Sequence, residues 1–150
     1  DCEGDVDCGR SDTEPVVTSV TEVDPNTKKS CKDTAETQIA LNGCAHEEYK
    51  NADAELNRVY NAIRSEYKSD TLFLNKLKKS QRAWIAFRDA ELEAFYPHQE
   101  NTRRHYGSIY PVCHNSLLTR LTIERTKQLQ VWLDGIEEGS ACGGTVKLKR

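Results

Sequence analysis

The side chains of this sequence that could do chemistry are its histidines, cysteines and carboxylates, and their spacing limits which chemistry is feasible. Three histidines, His98, His105 and His114, lie in or beside one polar stretch. A metal site on a helix needs ligands about one turn apart or backed by carboxylates, and separations of seven and nine residues provide neither. We therefore expect surface histidines and no bound metal.

Catalytic patterns are absent from the sequence. It contains no G-x-S-x-G string and no cysteine set in a recognisable context with a histidine base. The carboxylates alternate with lysines and arginines along the predicted helices, which is typical of a solvated surface rather than a catalytic pair. We predict that the protein is not an enzyme and uses no cofactor.

The cysteines favour disulfide bonds over a metal. There are six of them in 150 residues, with no methionine, and they stand at Cys2, Cys8, Cys31, Cys44, Cys113 and Cys142. No C-x-x-C pair is present, whereas a structural zinc site usually takes two ligands from one tight turn. Disulfides on this scale indicate an oxidising compartment, so we expect a secreted or periplasmic protein.

Charge and hydropathy exclude two classes of partner. The formal net charge of −3 is too mild to indicate nucleic-acid binding. The longest apolar run, residues 83–87, is far shorter than the ~20 residues that cross a bilayer. Residues 1–30 hold eight acidic and three basic side chains and lack an apolar period, which predicts an extended acidic arm.

Hydrophobic periodicity predicts helices through the rest of the chain. We expect a short helix near 34–41 that ends at Asn42-Gly43, then a helix whose apolar stripe runs from Tyr49 to Tyr67. A third helix is predicted over 71–96, with Ile85 and Phe95 among its inward positions, and a last one over 110–134. The inward stripes of these three long helices are otherwise formed by Ala52, Leu56, Val59, Ile63, Leu74, Leu77, Gln81, Trp84, Arg88, Leu92, Val112, Leu117, Leu118, Leu121, Leu129 and Trp132.

These elements predict an all-α fold: an antiparallel up-down-up three-helix bundle with a preceding short helix and a disulfide-tethered N-terminal arm. We divide the chain into the arm (1–30), a helical domain (31–134) and an irregular C-terminal tail (135–150).

Two polar and aromatic strings carry a family resemblance. Residues 52–60 read A-D-A-E-L-N-R-V-Y, and residues 81–91 read Q-R-A-W-I-A-F-R-D-A-E. With Cys31, Cys44, Gly107-Ser108, Cys113 and the segment from Thr122 to Leu129, the sequence resembles the LprI-like lysozyme inhibitors, which are small exported bacterial proteins. The resemblance covers residues 31–133, and it implies a helical domain that binds a lysozyme.

The sequence departs from the family pattern at one cysteine. The family usually has a Cys directly after the F-R-D-A-E string, paired with the later one, and this chain has Leu92 there. We expect Cys31 to pair with Cys44 across the short helix. The reach of the chain disfavours Cys113 with Cys142. We therefore predict Cys8–Cys113 and Cys2–Cys142.

The two strings also suggest an interhelical polar cluster. Asp53 and Glu55 on one helix face Arg82 and Arg88 on the next in the predicted bundle, around Trp84. We interpret these five residues as structural rather than as a contact surface, with carboxylate–arginine pairs joining the helices.

The predicted function is inhibition of a lysozyme-type muramidase by binding. The loop 97–112 has the character of a contact loop, because it combines aromatic anchors with basic and polar side chains: Arg103, Arg104, His105, Tyr106, Ser108 and Tyr110. The acidic arm would speed encounter with a basic enzyme. Two alternatives remain open, namely an immunity or adaptor protein for another envelope partner, such as a secreted toxin, and a hydrolase whose site the sequence does not reveal.

Overall fold

The structure, a computed structural model, describes residues 30–149. Its helices are α1 (Cys31–Thr34), α2 (Gln38–Glu66), α3 (Thr71–Phe95), α4 (Thr102–Tyr106) and α5 (Tyr110–Asp134), with one 3₁₀ turn at Gln99–Asn101. Within 30–149 there is no strand, and β pairing is limited to an isolated bridge between Ile136 and Leu148. The predicted all-α fold is confirmed. The acidic arm, and with it Cys2 and Cys8, lies outside the described residues.

The N-terminal helices differ from the prediction. The expected helix over 34–41 with a stop at Asn42-Gly43 is wrong, because α2 begins at Gln38 and continues through Gly43. Thr37 caps it by accepting a hydrogen bond from the Ala40 N–H at 3.1 Å. Cys44 and Ala45, directly after the glycine, are buried. Their burial outweighs the ~1 kcal/mol that a glycine costs a helix.

The disulfide between Cys31 and Cys44 is confirmed, with the two Cα atoms 5.6 Å apart. It attaches α1 to the side of α2. Lys32 strengthens this attachment, since its ammonium group pairs with Glu48 on α2 at 2.5 Å and donates to the Ser116 hydroxyl on α5 at 3.1 Å. A short helix does precede the long ones, but it is a single turn over Cys31–Thr34 and not the helix expected over 34–41.

Helices α2 and α5 form the main interface of the domain. At their C-terminal ends, Val59 and Ile63 pack with Leu129, and Tyr67 contacts Trp132 edge-on. Near their N-terminal ends, Tyr49 packs against Leu117 and its neighbours. Contacts between like ends show that α2 and α5 run parallel.

Helix α3 runs antiparallel to both and packs less closely. Asp70 caps its start, as predicted, and Leu77 and Leu92 are its two buried residues. Leu77 lies in the cluster with Leu129, and Leu92 lies in the cluster with Leu117. Two predicted inward positions are wrong, because Ile85 is 41% and Phe95 is 55% exposed. The reason is that α3 covers one side only, so its buried stripe is narrower than that of a central helix.

The C-terminal tail folds back on the end of the bundle. Gly135 ends α5 with a φ of 81°, as the sequence predicts. The Ile136 N–H donates to the Lys147 carbonyl at 2.9 Å, and the Lys149 N–H donates to the Ile136 carbonyl at 2.8 Å. A Cβ on Gly135 would meet the Lys147 carbonyl oxygen at 2.8 Å, and with its positive φ this position favours glycine.

Candidate functional site

The segment between α3 and α5, residues 96–110, is here named the aromatic connector. It is ordered by its own hydrogen bonds rather than by core burial. Asn101 caps α4 by accepting from the Arg104 N–H at 3.1 Å, and Gly107, with a φ of 76°, ends that helix. The Tyr106 hydroxyl accepts from the His98 N–H at 2.9 Å, which joins the two ends of the connector.

Three tyrosines form the base of the aromatic connector. The ring of Tyr96 meets the rings of Tyr106 and Tyr110 edge-on, with centroids 5.1 and 5.2 Å away, and those two rings stack at 5.6 Å. The Tyr110 hydroxyl donates to Gln99 Oε1 at 3.3 Å. Burial, together with the neighbouring Cys113, Tyr110 and Tyr106, raises the pKa of Tyr96 above its usual value.

The predicted contact residues divide into two groups. Tyr106 and Tyr110 are half-buried and belong to the tyrosine base, so they hold the connector in shape. Arg103, Arg104, His105 and Ser108 are exposed. The three basic residues occupy the last turn of α4, where positive charge is favourable at the helix C-terminus. The structure thus brings all six residues into one region, in which the basic side chains are exposed to solvent and the tyrosines are half-buried.

A groove runs beside this exposed group. It has a volume of about 370 Å³ and lies between the start of α2 and the aromatic connector. Gln38 and Asn42 line its α2 side, while Arg103, Ser108 and Tyr110 line the other. The contribution of α2 to this groove was not predicted, because the sequence pattern indicated a helix end at Asn42. The groove offers a partner polar donors and acceptors next to a cation.

The histidines are arranged differently from the expectation. His98 and His105 stack with ring centroids 4.1 Å apart and planes 10° apart, although seven residues separate them in sequence. Glu100 lies beside both, with its Oε1 atom 3.3 Å from His98 Nδ1 and 3.5 Å from His105 Nε2. The Glu100 carboxylate therefore lies next to both imidazoles, which the spacing of the histidines along the sequence did not predict. A hydrogen bond from the backbone of Glu100 to its own carboxylate, together with the nearby His98, lowers the pKa of Glu100.

His114 does not join that pair. It lies on α5 near the rings of Tyr96 and Tyr110, with centroids 6.4 and 5.5 Å away. Burial lowers the pKa of His114 below its ordinary value, because the charged form loses hydration.

The predicted polar cluster is only partly assembled. Arg88 lies over the Trp84 ring at 5.5 Å and pairs with its neighbour Asp89 at 2.7 Å. Glu55 pairs within α2 with Arg58 at 2.6 Å. Asp53 accepts from Asn57 at 3.1 Å, also within α2. Among the described residues, no ion pair joins Asp53 or Glu55 to Arg82 or Arg88, because α3 packs mainly against α5 rather than α2.

A different arginine links the helices. Arg125 on α5 donates to Gln81 Oε1 at 3.1 Å and to the Ser80 hydroxyl at 3.0 Å, both on α3. Burial lowers the pKa of Arg125. Gln81 and Arg125 each stand in a segment that carries the family resemblance. The presence of both residues in these segments was the sequence signal from which this pair could have been predicted.

The fold and this region define a small, all-α domain with a disulfide-bonded first turn. The chain belongs to the family described as Lysozyme inhibitor LprI, whose match covers residues 30–129. No helix among the described residues is long and apolar enough to cross a membrane.

Two curated relatives are themselves uncharacterized. The chain is 32% identical over 114 residues to the uncharacterized protein R02472 of Rhizobium meliloti (strain 1021), covering 69% of this chain and 78% of that protein. It is 35% identical over 104 residues to the uncharacterized protein YecT of Escherichia coli (strain K12), covering 61% of this chain and 62% of YecT. No solved structure matches the chain.

Proposed function

We propose that this protein is exported and inhibits a lysozyme-type muramidase by binding it, without catalysis of its own. The observation that carries the proposal is the match of residues 30–129 to a family described as lysozyme inhibitors. The disulfide between Cys31 and Cys44 is consistent with a secreted or periplasmic location, since such bonds persist in oxidising compartments.

The contact surface in this proposal is the exposed part of the aromatic connector. Glycosidases of this type hold two carboxyl groups that flank the bond they cleave. Arg103 and Arg104 present two guanidinium groups on one short helix, and such groups pair well with carboxylates. The tyrosine base beneath them keeps α4 in place before binding, which reduces the entropy lost on association.

The test is a turbidity assay in which several lysozymes clear bacterial cell walls with and without the protein. At least one lysozyme should be inhibited. The double substitution Arg103→Ala and Arg104→Ala should weaken inhibition at least tenfold, which corresponds to ~1.4 kcal/mol. The melting temperature should stay close to that of the wild type, because both side chains are exposed.

A matched control removes the same charge elsewhere. Arg64→Ala with Lys68→Ala changes two exposed cations, one in the last turn of α2 and one in the turn that follows it, and should leave inhibition unchanged. Equal loss in both double variants would mean that net charge, and not the connector, drives binding. If no lysozyme in the panel is inhibited, the proposal fails and an immunity or adaptor role for another envelope partner becomes the better hypothesis.

A further inference from the structure

The stacked histidines and Glu100 bring three metal-ligating side chains close together. One ligand atom from each of His98, Glu100 and His105 lies within 4.8 Å of the other two. Zinc binds imidazole nitrogen and carboxylate oxygen at ~2.0–2.2 Å, so adjacent ligand atoms of a tetrahedral site are ~3.4 Å apart. The two distances from Glu100 Oε1 to the histidine nitrogens, 3.3 and 3.5 Å, already match that separation.

The backbone that carries the three ligands is held in place before any metal arrives. His98 is fixed by its backbone N–H bond to the Tyr106 hydroxyl, and Glu100 lies in the 3₁₀ turn that Gln99 begins. His105 stands on α4, whose start Asn101 caps. The two stacked rings must rotate so that a nitrogen of each points at the metal, and both rings are exposed enough to do so.

We propose that His98, Glu100 and His105 form a surface binding site for a divalent transition metal of the zinc type. Two imidazoles and one carboxylate suit zinc better than magnesium or calcium, which prefer oxygen ligands alone. Zinc binds the deprotonated ring nitrogen and the carboxylate, so metal binding should weaken as the pH falls.

The site leaves part of the coordination shell open. Three protein ligands bind a zinc ion that takes four, and all three side chains are exposed, so water fills the fourth position. This inference is independent of the proposed inhibitor function, because it depends only on the geometry of the three side chains.

The experiment titrates Zn²⁺ into the full-length, disulfide-intact protein by isothermal calorimetry. Any thiol that is not in a disulfide is first blocked with iodoacetamide, since Cys113 and Cys142 have no disulfide partner within 30–149. One ion should bind per chain. His98→Ala, His105→Ala and Glu100→Gln should each weaken binding at least about tenfold, because each removes one of three ligands.

His46→Ala is the matched control. His46 is an exposed histidine on α2 that does not belong to the group of three ligands, and its loss should leave Zn²⁺ affinity unchanged. Co²⁺ provides a second readout: the wild-type protein should show the visible bands of nitrogen and oxygen coordination without thiolate charge-transfer absorption, and His105→Ala should abolish them. Circular dichroism checks that each variant folds, and Glu100→Gln preserves side-chain shape if an alanine variant does not.

Three results would overturn the proposal. The first is the absence of Zn²⁺ binding tighter than about 1 mM in the wild-type protein. The second is binding that survives the loss of His105 undiminished. The third is an equal loss of affinity in His46→Ala, which would mean that scattered histidines, rather than this site, take up the metal.

Discussion

The hydroxyl of Tyr67 donates a hydrogen bond to the carbonyl oxygen of Trp132 at 2.9 Å, although 65 residues separate the two in sequence. The same hydroxyl accepts a hydrogen bond from the Lys147 N–H at 3.1 Å. One oxygen atom therefore joins the end of α2, the end of α5 and the C-terminal tail. The rings of Tyr67, Phe73 and Trp132 pack around it.

Tyr67→Phe removes both hydrogen bonds and keeps the ring. We expect the free energy of unfolding to fall by about 1–2 kcal/mol, because a part-buried carbonyl and a part-buried N–H lose their partner. Urea denaturation measures the change. Tyr60→Phe is the control, since Tyr60 is also half-buried in this cluster but makes no hydrogen bond within the described residues. An equal loss of unfolding free energy in the two variants would contradict the assignment of this stabilisation to the two hydrogen bonds.

Thr122 is fully buried on α5, and its Oγ1 atom has no hydrogen-bond partner within the described residues. Thr122→Val replaces that hydroxyl with a methyl group of the same shape. We expect it to raise the free energy of unfolding by up to ~1 kcal/mol, because an unsatisfied polar group is removed from the core. Thr126→Val is the control, since the Thr126 hydroxyl does donate, to the Thr122 carbonyl at 2.9 Å. The prediction fails if Thr122→Val proves the less stable of the two.

His114 should make the domain sensitive to acid. Burial holds its folded-state pKa below the ordinary value of about 6.5, so the unfolded chain binds more protons as the pH falls below that value. This part of the stability is present above pH ~6.5 and is lost as the pH falls towards the folded pKa. His114→Gln should therefore flatten the decline of the melting temperature on the acid side, whereas His46→Gln should not. Parallel pH profiles of the melting temperature for the two variants would be evidence against this role of His114.

The remaining disulfides are still a prediction. Cys113 and Cys142 have no disulfide partner within 30–149, and we predict Cys8–Cys113 and Cys2–Cys142. Peptide mapping under non-reducing conditions should recover these two linked pairs together with Cys31–Cys44. A peptide that links Cys2 to Cys8, or Cys113 to Cys142, would refute this map.

The sequence predicted the long helices well where caps and periodicity agreed. The bounds of α3 and α5 follow Asp70, Pro97 and Gly135, because each acts locally on the backbone. The start of α2 was not predicted, because Asn42-Gly43 indicated the end of a helix. Burial of the residues that follow outweighs this local signal. Tertiary packing decided that element, and a single sequence does not reveal it.

The internal contacts of the aromatic connector were not predicted from the sequence. The basic and aromatic composition of 97–112 pointed to the aromatic connector. The short helix α4, however, turns His105 back towards His98, and spacing along the chain gave no sign of that proximity. The interhelical pairs expected for Glu55 and Arg88 failed for a related reason. They assumed that helices adjacent in sequence pack most closely, whereas α2 packs mainly against α5.

The parallel pairing of α2 with α5 has a consequence for how the chain folds. Its main interface joins helices that are not consecutive, and contacts such as that of Tyr67 with Trp132 span 65 residues. Most helical bundles gain stability from neighbours in sequence and fold fast, because little chain entropy is lost before contacts form. Here the intervening helix must be looped out or docked before the central pair can meet. We therefore expect slower folding than for a bundle of similar length with local contacts, and a longer interval during which the apolar stripe of α2 is exposed to other chains.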